Sequence, residues 1–196
     1  KKKLISTTIW AYADKAIIAS FLFVLIFIFS KSLSFEQYGY FVAASLIVDL
    51  LRLISSLGLD NYLVKKKEIN DDLVSQILLL VITISIFIIF VIYLINGLIN
   101  VNNDFYFLLK ITALLSWNIL LINIVSMLNA IFFRELNNHK VVKISIFSWS
   151  ISFLLGLVAL KYLNPLNALI FLSLFKNFIR MTISIVYSGI KIKLIN

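Results

Sequence analysis

The sequence has no cysteine, which excludes thiol catalysis, disulfide bridges and thiolate metal sites. A single histidine and nine acidic residues are poor material for a metal centre, and no cofactor is called for. One proline and five glycines in 196 residues leave the apolar runs largely uncut by turns. No glycine-rich loop leading into a lysine is present to cradle phosphates, so this chain does not hydrolyse nucleotide by itself. The G-x-S-x-G and H-E-x-x-H patterns are also missing. Without a nucleophile–base pair or a metal set, the chain reads as a non-enzyme.

What remains is grease and positive charge. Hydrophobic residues make up 62% of the chain, where a soluble domain is about half apolar. The formal charge of +9 sits mostly in short segments between apolar runs, where topology and anionic headgroups explain it without nucleic acid. A span needs about 20 mostly apolar residues, and six candidates appear, at about 8–30, 39–58, 73–97, 106–132, 143–162 and 166–189. The first is too long for a signal-peptide core and has no small-residue cleavage pattern after it, so it reads as a retained span. The fold class expected is an all-α membrane protein, a bundle of six transmembrane helices forming one lobe over residues 1–196. The polar breaks between spans are short, so neighbouring helices run antiparallel.

The basic residues set the orientation. With the first residue in the cytoplasm, Lys1–Lys3, Lys65–Lys67, Arg134, Lys140, Lys143, Lys191 and Lys193 share the cytoplasmic side. Lys31, Lys110 and Lys161 fall opposite, and both ends of the segment are cytoplasmic. Trp10, Trp149, Tyr38, Tyr40, Tyr106 and Tyr162 lie near proposed span ends and read as aromatic belts. His139, in a basic connecting segment, reads as a solvated loop residue.

Two spans carry polar stripes. In the second, Ser45, Asp49, Arg52 and Ser56 fall on one helical face. In the sixth, Ser173, Asn177, Arg180, Ser184 and Ser188 do the same, with Lys176 beside them. Asp14 and Lys15 lie a few turns into the first span, and Ser116, Asn118, Asn123, Ser126 and Asn129 are scattered along the fourth. A charged side chain at the centre of an inserted helix costs about 2.5–3.5 kcal/mol, so these groups are expected to face other helices or a watery cavity. Internal pairing, such as Asp49 with Arg52, is one solution. Lys176 and Arg180, four apart, repel each other and favour the other solution, a cavity that attracts anions. On the fifth span Ser145, Ser148, Ser152 and Gly156 form a small-residue stripe suited to close helix packing. The third span is apolar nearly all round and is expected to face lipid over much of its surface.

Several segments carry a resemblance. "TTIWAYADK" opens the first span, "SLSFEQYGYF" links it to the second, "SLGLDNYLVKK" closes the second and "IFFRELNNHK" closes the fourth. Within them stand Glu36, Tyr38, Gly39 and Phe41 as E-x-Y-G-x-F, then Gly58-Leu59 followed by Leu63-Val64, and Phe133-Arg134. Together these resemble the N-terminal half of bacterial polysaccharide translocases, the O-antigen and capsule-repeat flippases of the multidrug/oligosaccharidyl-lipid/polysaccharide exporter superfamily. The resemblance implies alternating access in the inner membrane, with two lobes around a central cavity whose cations attract the pyrophosphate of an undecaprenyl-linked oligosaccharide. By that analogy Lys15, Arg52, Lys176 and Arg180 bind the lipid-linked oligosaccharide, and Asp14 and Asp49 position those bases or couple to an ion. The partners implied are membrane lipids and a second transmembrane lobe, from the same longer chain or another copy, since six spans make one lobe. Two other readings stand beside it. An exporter of small cationic compounds would need an acidic, aromatic site, and this one is net basic. A non-transporting scaffold, assembly subunit or inactive fragment would pair its charges internally.

Overall fold

In the computed structural model, backbone is described for residues 2–66, 69–99 and 104–188, and side chains from Thr8 onward with Ala11 excepted. The side chains of Lys1–Lys3, together with Lys67, Lys191 and Lys193, all used above for orientation, lie outside the described residues. Every regular element among them is an α-helix: α1 (Lys2–Phe29), α2 (Phe35–Ser56), α3 (Leu59–Lys65), α4 (Asp71–Leu98), α5 (Asp104–Leu115), α6 (Trp117–Arg134), α7 (Asn138–Tyr162) and α8 (Pro165–Ser188). Six stretches are long and apolar enough to cross a membrane: Thr8–Phe29, Phe35–Ser56, Asp71–Leu98, Asp104–Arg134, Asn138–Tyr162 and Pro165–Ser188. They coincide with the six expected spans, with ends shifted by up to five residues. The all-α membrane bundle is the fold.

Local chemistry sets the helix ends. Ser34 and Gln37 form a reciprocal cap on α2: the Gln37 N–H donates to Ser34 Oγ at 3.2 Å and the Ser34 N–H to Gln37 Oε1 at 3.4 Å. At the other end Leu57 (φ 48°) and Gly58 (φ 67°) turn left-handed and send the chain into α3. The stretch containing α3 was expected to be a polar break. It is a helix of about two turns because Leu63, fully buried, packs with Val74, Val81, Met127 and Ala130 in a satellite core against α6. The α6 terminus closes on Leu136 at φ 57°, with the Asn137 N–H donating to Phe132 O at 2.8 Å.

The fourth span is interrupted at Ser116, which divides it into α5 and α6. Thr112 Oγ1 donates to Leu108 O at 2.8 Å and Ser116 Oγ to Ala113 O at 2.7 Å. Hydroxyls that bond back to the preceding turn compete with the backbone ladder and bend helices. The α6 half then runs through the middle of the bundle, touching α2, α3, α4, α7 and α8. α1 packs mainly on α7. α4 is buried along one face only (Val74, Leu78, Val81, Ser85, Ile89, Ile92), and Ile86, Phe87 and Phe90 look outward.

The small-residue stripe does what the sequence suggests. Ser145, Ser148 and Ser152 are fully buried, and a Cβ added at Gly156 would lie 3.1 Å from Leu172 Cγ and 3.3 Å from Leu172 Cβ. α7 and α8 therefore approach at a distance that only glycine allows there. Two expectations fail. Trp149 is not a belt residue: α7 begins at Asn138, earlier than expected, which puts Trp149 in mid-helix and 5% exposed. His139 is not in a loop but in the first turn of α7, half-buried.

Candidate functional site

The site is built where the polar faces of α2, α6 and α8 meet the aromatic wall of α7. A cavity of about 270 Å³ opens there, lined on the apolar side by Leu22, Leu25, Phe41 and Leu172. Its polar side is Ser45, Asp49, Asn118, Ser173, Lys176 and Asn177. The two asparagines are nearly inaccessible, at 4% exposure each. They are held in a chain: Asn177 Nδ2 donates to Asn118 Oδ1 at 2.8 Å, and Asn118 Nδ2 donates to Ser173 Oγ at 3.1 Å. Two of the five residues of the α8 stripe, Ser173 and Asn177, thus bond to α6, and Lys176, one position off that line, reaches the cavity.

One turn deeper in α6, Asn123 ties three helices together. Its Nδ2 donates to Ser55 Oγ at 2.6 Å and to Ser85 Oγ at 2.9 Å. Both hydroxyls already donate to backbone carbonyls, Ser55 to Arg52 O and Ser85 to Val81 O, so each can only accept from the amide. This orients the amide, leaving Asn123 Oδ1 buried without a partner among the described residues.

Lys176 lies with Nζ 4.4 Å from the ring centroid of Trp149, whose face is stacked on Phe21 at 5.7 Å. Arg52 meets Asp49 loosely, Nε to Oδ1 at 3.9 Å, with Asp49 60% and Arg52 21% exposed. Asp49 and Arg180 both act electrostatically on Lys176, and Asp14 acts on Arg180. Among the described residues no carboxylate comes within ion-pair distance of Lys176 or Arg180. Asp14 Oδ1 and Arg180 Nε are buried atoms without hydrogen-bond partners there. Three cations are therefore linked to two carboxylates, and only one of those links falls within ion-pair distance.

The six charged residues singled out from the sequence do not form one cluster. Asp49 and Lys176 line the cavity. Arg52 joins through Asp49, Arg180 through Lys176, and Asp14 through Arg180. Lys15 is exposed on α1 and is not part of the cavity wall. Trp149 is the wall residue that sequence reasoning missed, and its depth was the available signal. No group of three or more metal-ligating side chains occurs among the described residues. The arrangement can hold an anion against Lys176, with amide and hydroxyl groups to share hydrogen bonds.

Six membrane-length helical stretches, five of which line a charged, polar cavity, define a multi-pass membrane protein. The chain belongs to the polysaccharide biosynthesis protein family, which matches residues 28–195 and bears out the resemblance seen in its motifs. Neither the curated proteins nor the solved structures compared with the chain give a match.

Proposed function

We propose that the chain is one lobe of a translocase that flips undecaprenyl-pyrophosphate-linked oligosaccharide repeat units across the bacterial inner membrane. The polymer made from those units is O-antigen, capsule or exopolysaccharide. The single observation that carries this reading is the incomplete neutralisation of Lys176 and Arg180 within an apolar helix long enough to cross a membrane. A cation held inside the bilayer without a carboxylate calls for an anion or water beside it. A pyrophosphate supplies that charge, and family membership supports a polysaccharide precursor as its carrier. In this reading the cytoplasmic side is the end that holds Lys65, Lys66 and Arg134, and a second lobe completes the path by rocking against this one. The chain is not an enzyme. The energy comes from an ion gradient, a partner or trapping of the product on the far side.

The test is made in cells that express the complete transporter. Arg52→Ala and Arg180→Ala each lower surface polysaccharide about tenfold or more, since a charge-assisted contact is worth about 1.5–3 kcal/mol. Protein level in the membrane stays the same. Normal polymer in both variants overturns the assigned roles.

The Asp49–Arg52 contact favours a second reading, a scaffold whose charges only pair. A pair this loose and this exposed contributes only about 0–1 kcal/mol to folding, so its replacement by apolar side chains leaves the fold intact. Normal polymer from the Asp49→Leu/Arg52→Met double variant therefore selects the scaffold, and lost polymer with normal protein level selects the translocase.

A further inference from the structure

A second, larger cavity lies at the opposite end of the bundle from Lys65 and Arg134. Its volume is about 560 Å³, within the range of small-molecule sites, roughly 300–1,000 Å³. Four segments converge on it: the α1–α2 connection, the first turn of α2, α5, and the start of α8. The floor is apolar, formed by the buried side chains of Ile111, Leu166 and Ile170, with Phe107 at one edge. The rim carries hydroxyl, amide and ammonium groups from Ser32, Gln37, Lys110, Asn164 and Asn167.

Ser32, Lys110, Asn164 and Asn167 spend none of their side-chain hydrogen-bonding capacity on other described residues. Among the described residues no carboxylate lines the cavity. The rim therefore offers several neutral donor–acceptor groups and one positive charge over an apolar floor. A lipid acyl chain would leave the amides unused. A bare inorganic anion would use Lys110 and the amide N–H groups but leave the amide oxygens and the apolar floor idle. A sugar ring matches all three features, because its C–H faces pack on apolar and aromatic side chains and its hydroxyls both donate and accept.

We propose that this crater binds a saccharide bearing a carboxylate, such as a uronic acid residue, with Lys110 on the carboxylate and Asn164 and Asn167 on the hydroxyls. The preference for a saccharide over other polar acids takes support from the family assignment and depends on no step of the proposed translocation.

Saturation-transfer NMR on the protein in lipid nanodiscs tests it, with D-glucuronate, D-glucose and inorganic phosphate as probes. Both sugars give transfer from the wild-type chain, and glucuronate binds more tightly by roughly fivefold, the weight of one exposed charge pair. Lys110→Gln removes that preference and leaves glucose transfer intact, while Asn164→Ala with Asn167→Ala abolishes both signals. The proposal is overturned if neither sugar gives transfer, if phosphate displaces glucuronate as well as glucuronate itself does, or if Lys110→Gln leaves the preference unchanged. Should the double variant not fold, Lys110→Gln alone decides. A negative result here leaves the cellular assay of Arg52 and Arg180 untouched, and the reverse also holds.

Discussion

At Trp149 the indole serves two neighbours, Phe21 stacked 5.7 Å away and the Lys176 ammonium 4.4 Å from its centroid. A cation–π contact is worth about 0.5–2 kcal/mol, more when desolvated. That falls short of the about 2.5–3.5 kcal/mol cost of a charge at the centre of a span. The indole therefore stabilises Lys176 only in part, and the rest falls to Asp49, to the amides of the cavity or to a visiting anion. A double-mutant cycle with Trp149→Leu and Lys176→Met, followed by thermal unfolding in detergent, is expected to return a coupling of about 0.5–2 kcal/mol. Zero coupling would mean that the contact carries no energy. At this scale the sequence was informative about residue type and silent about partners. That Asp49 and Arg52 would sit together followed from a spacing of three. That Lys176 would rest on Trp149, 27 positions away, did not, because no periodicity links α7 to α8 in register.

Elements were more legible, because a helix long enough to cross a bilayer announces itself by composition. The stripe of Ser145, Ser148, Ser152 and Gly156 predicted close packing, and Gly156 against Leu172 is its tightest point. Gly156→Ala adds a methyl group where Leu172 already stands. It is expected to destabilise the chain by about 1–3 kcal/mol, the usual cost of overpacking, seen as a lower melting temperature in detergent. An unchanged melting temperature would show that α7 and α8 can separate without cost. Two elements were misread. α3 falls in an expected break because its charges and asparagine mask Leu63, which buries beside α6, and Leu59, which buries in part. The interruption at Ser116 was missed because serine inside an apolar run carries no distinctive signal. Its hydroxyl, buried in the bundle, bonds back to Ala113 O.

For the whole molecule, the absence of cysteine offers a direct test of orientation, since any introduced thiol is unique. In intact cells, a membrane-impermeant thiol reagent is expected to label Lys31→Cys and Asn164→Cys but not Lys66→Cys or Glu135→Cys. The reverse pattern would invert the proposed topology and move the 560 Å³ crater to the cytoplasmic face.

Hydrophobicity over lengths of about 20 residues sufficed to define six spans, because each helix meets its own backbone hydrogen bonds and needs only apolar side chains to enter the bilayer. The family motifs were likewise local strings. Which charges are neutralised was decided by tertiary structure alone. The stripe on α8 turned Ser173 and Asn177 toward Asn118, left Arg180 Nε without a hydrogen-bond partner among the described residues, and has Lys176 beside it in the cavity with Asp49. The physical reason is that neutralisation depends on distance between helices. A helical face specifies direction about its own axis and carries no information about which neighbour stands there.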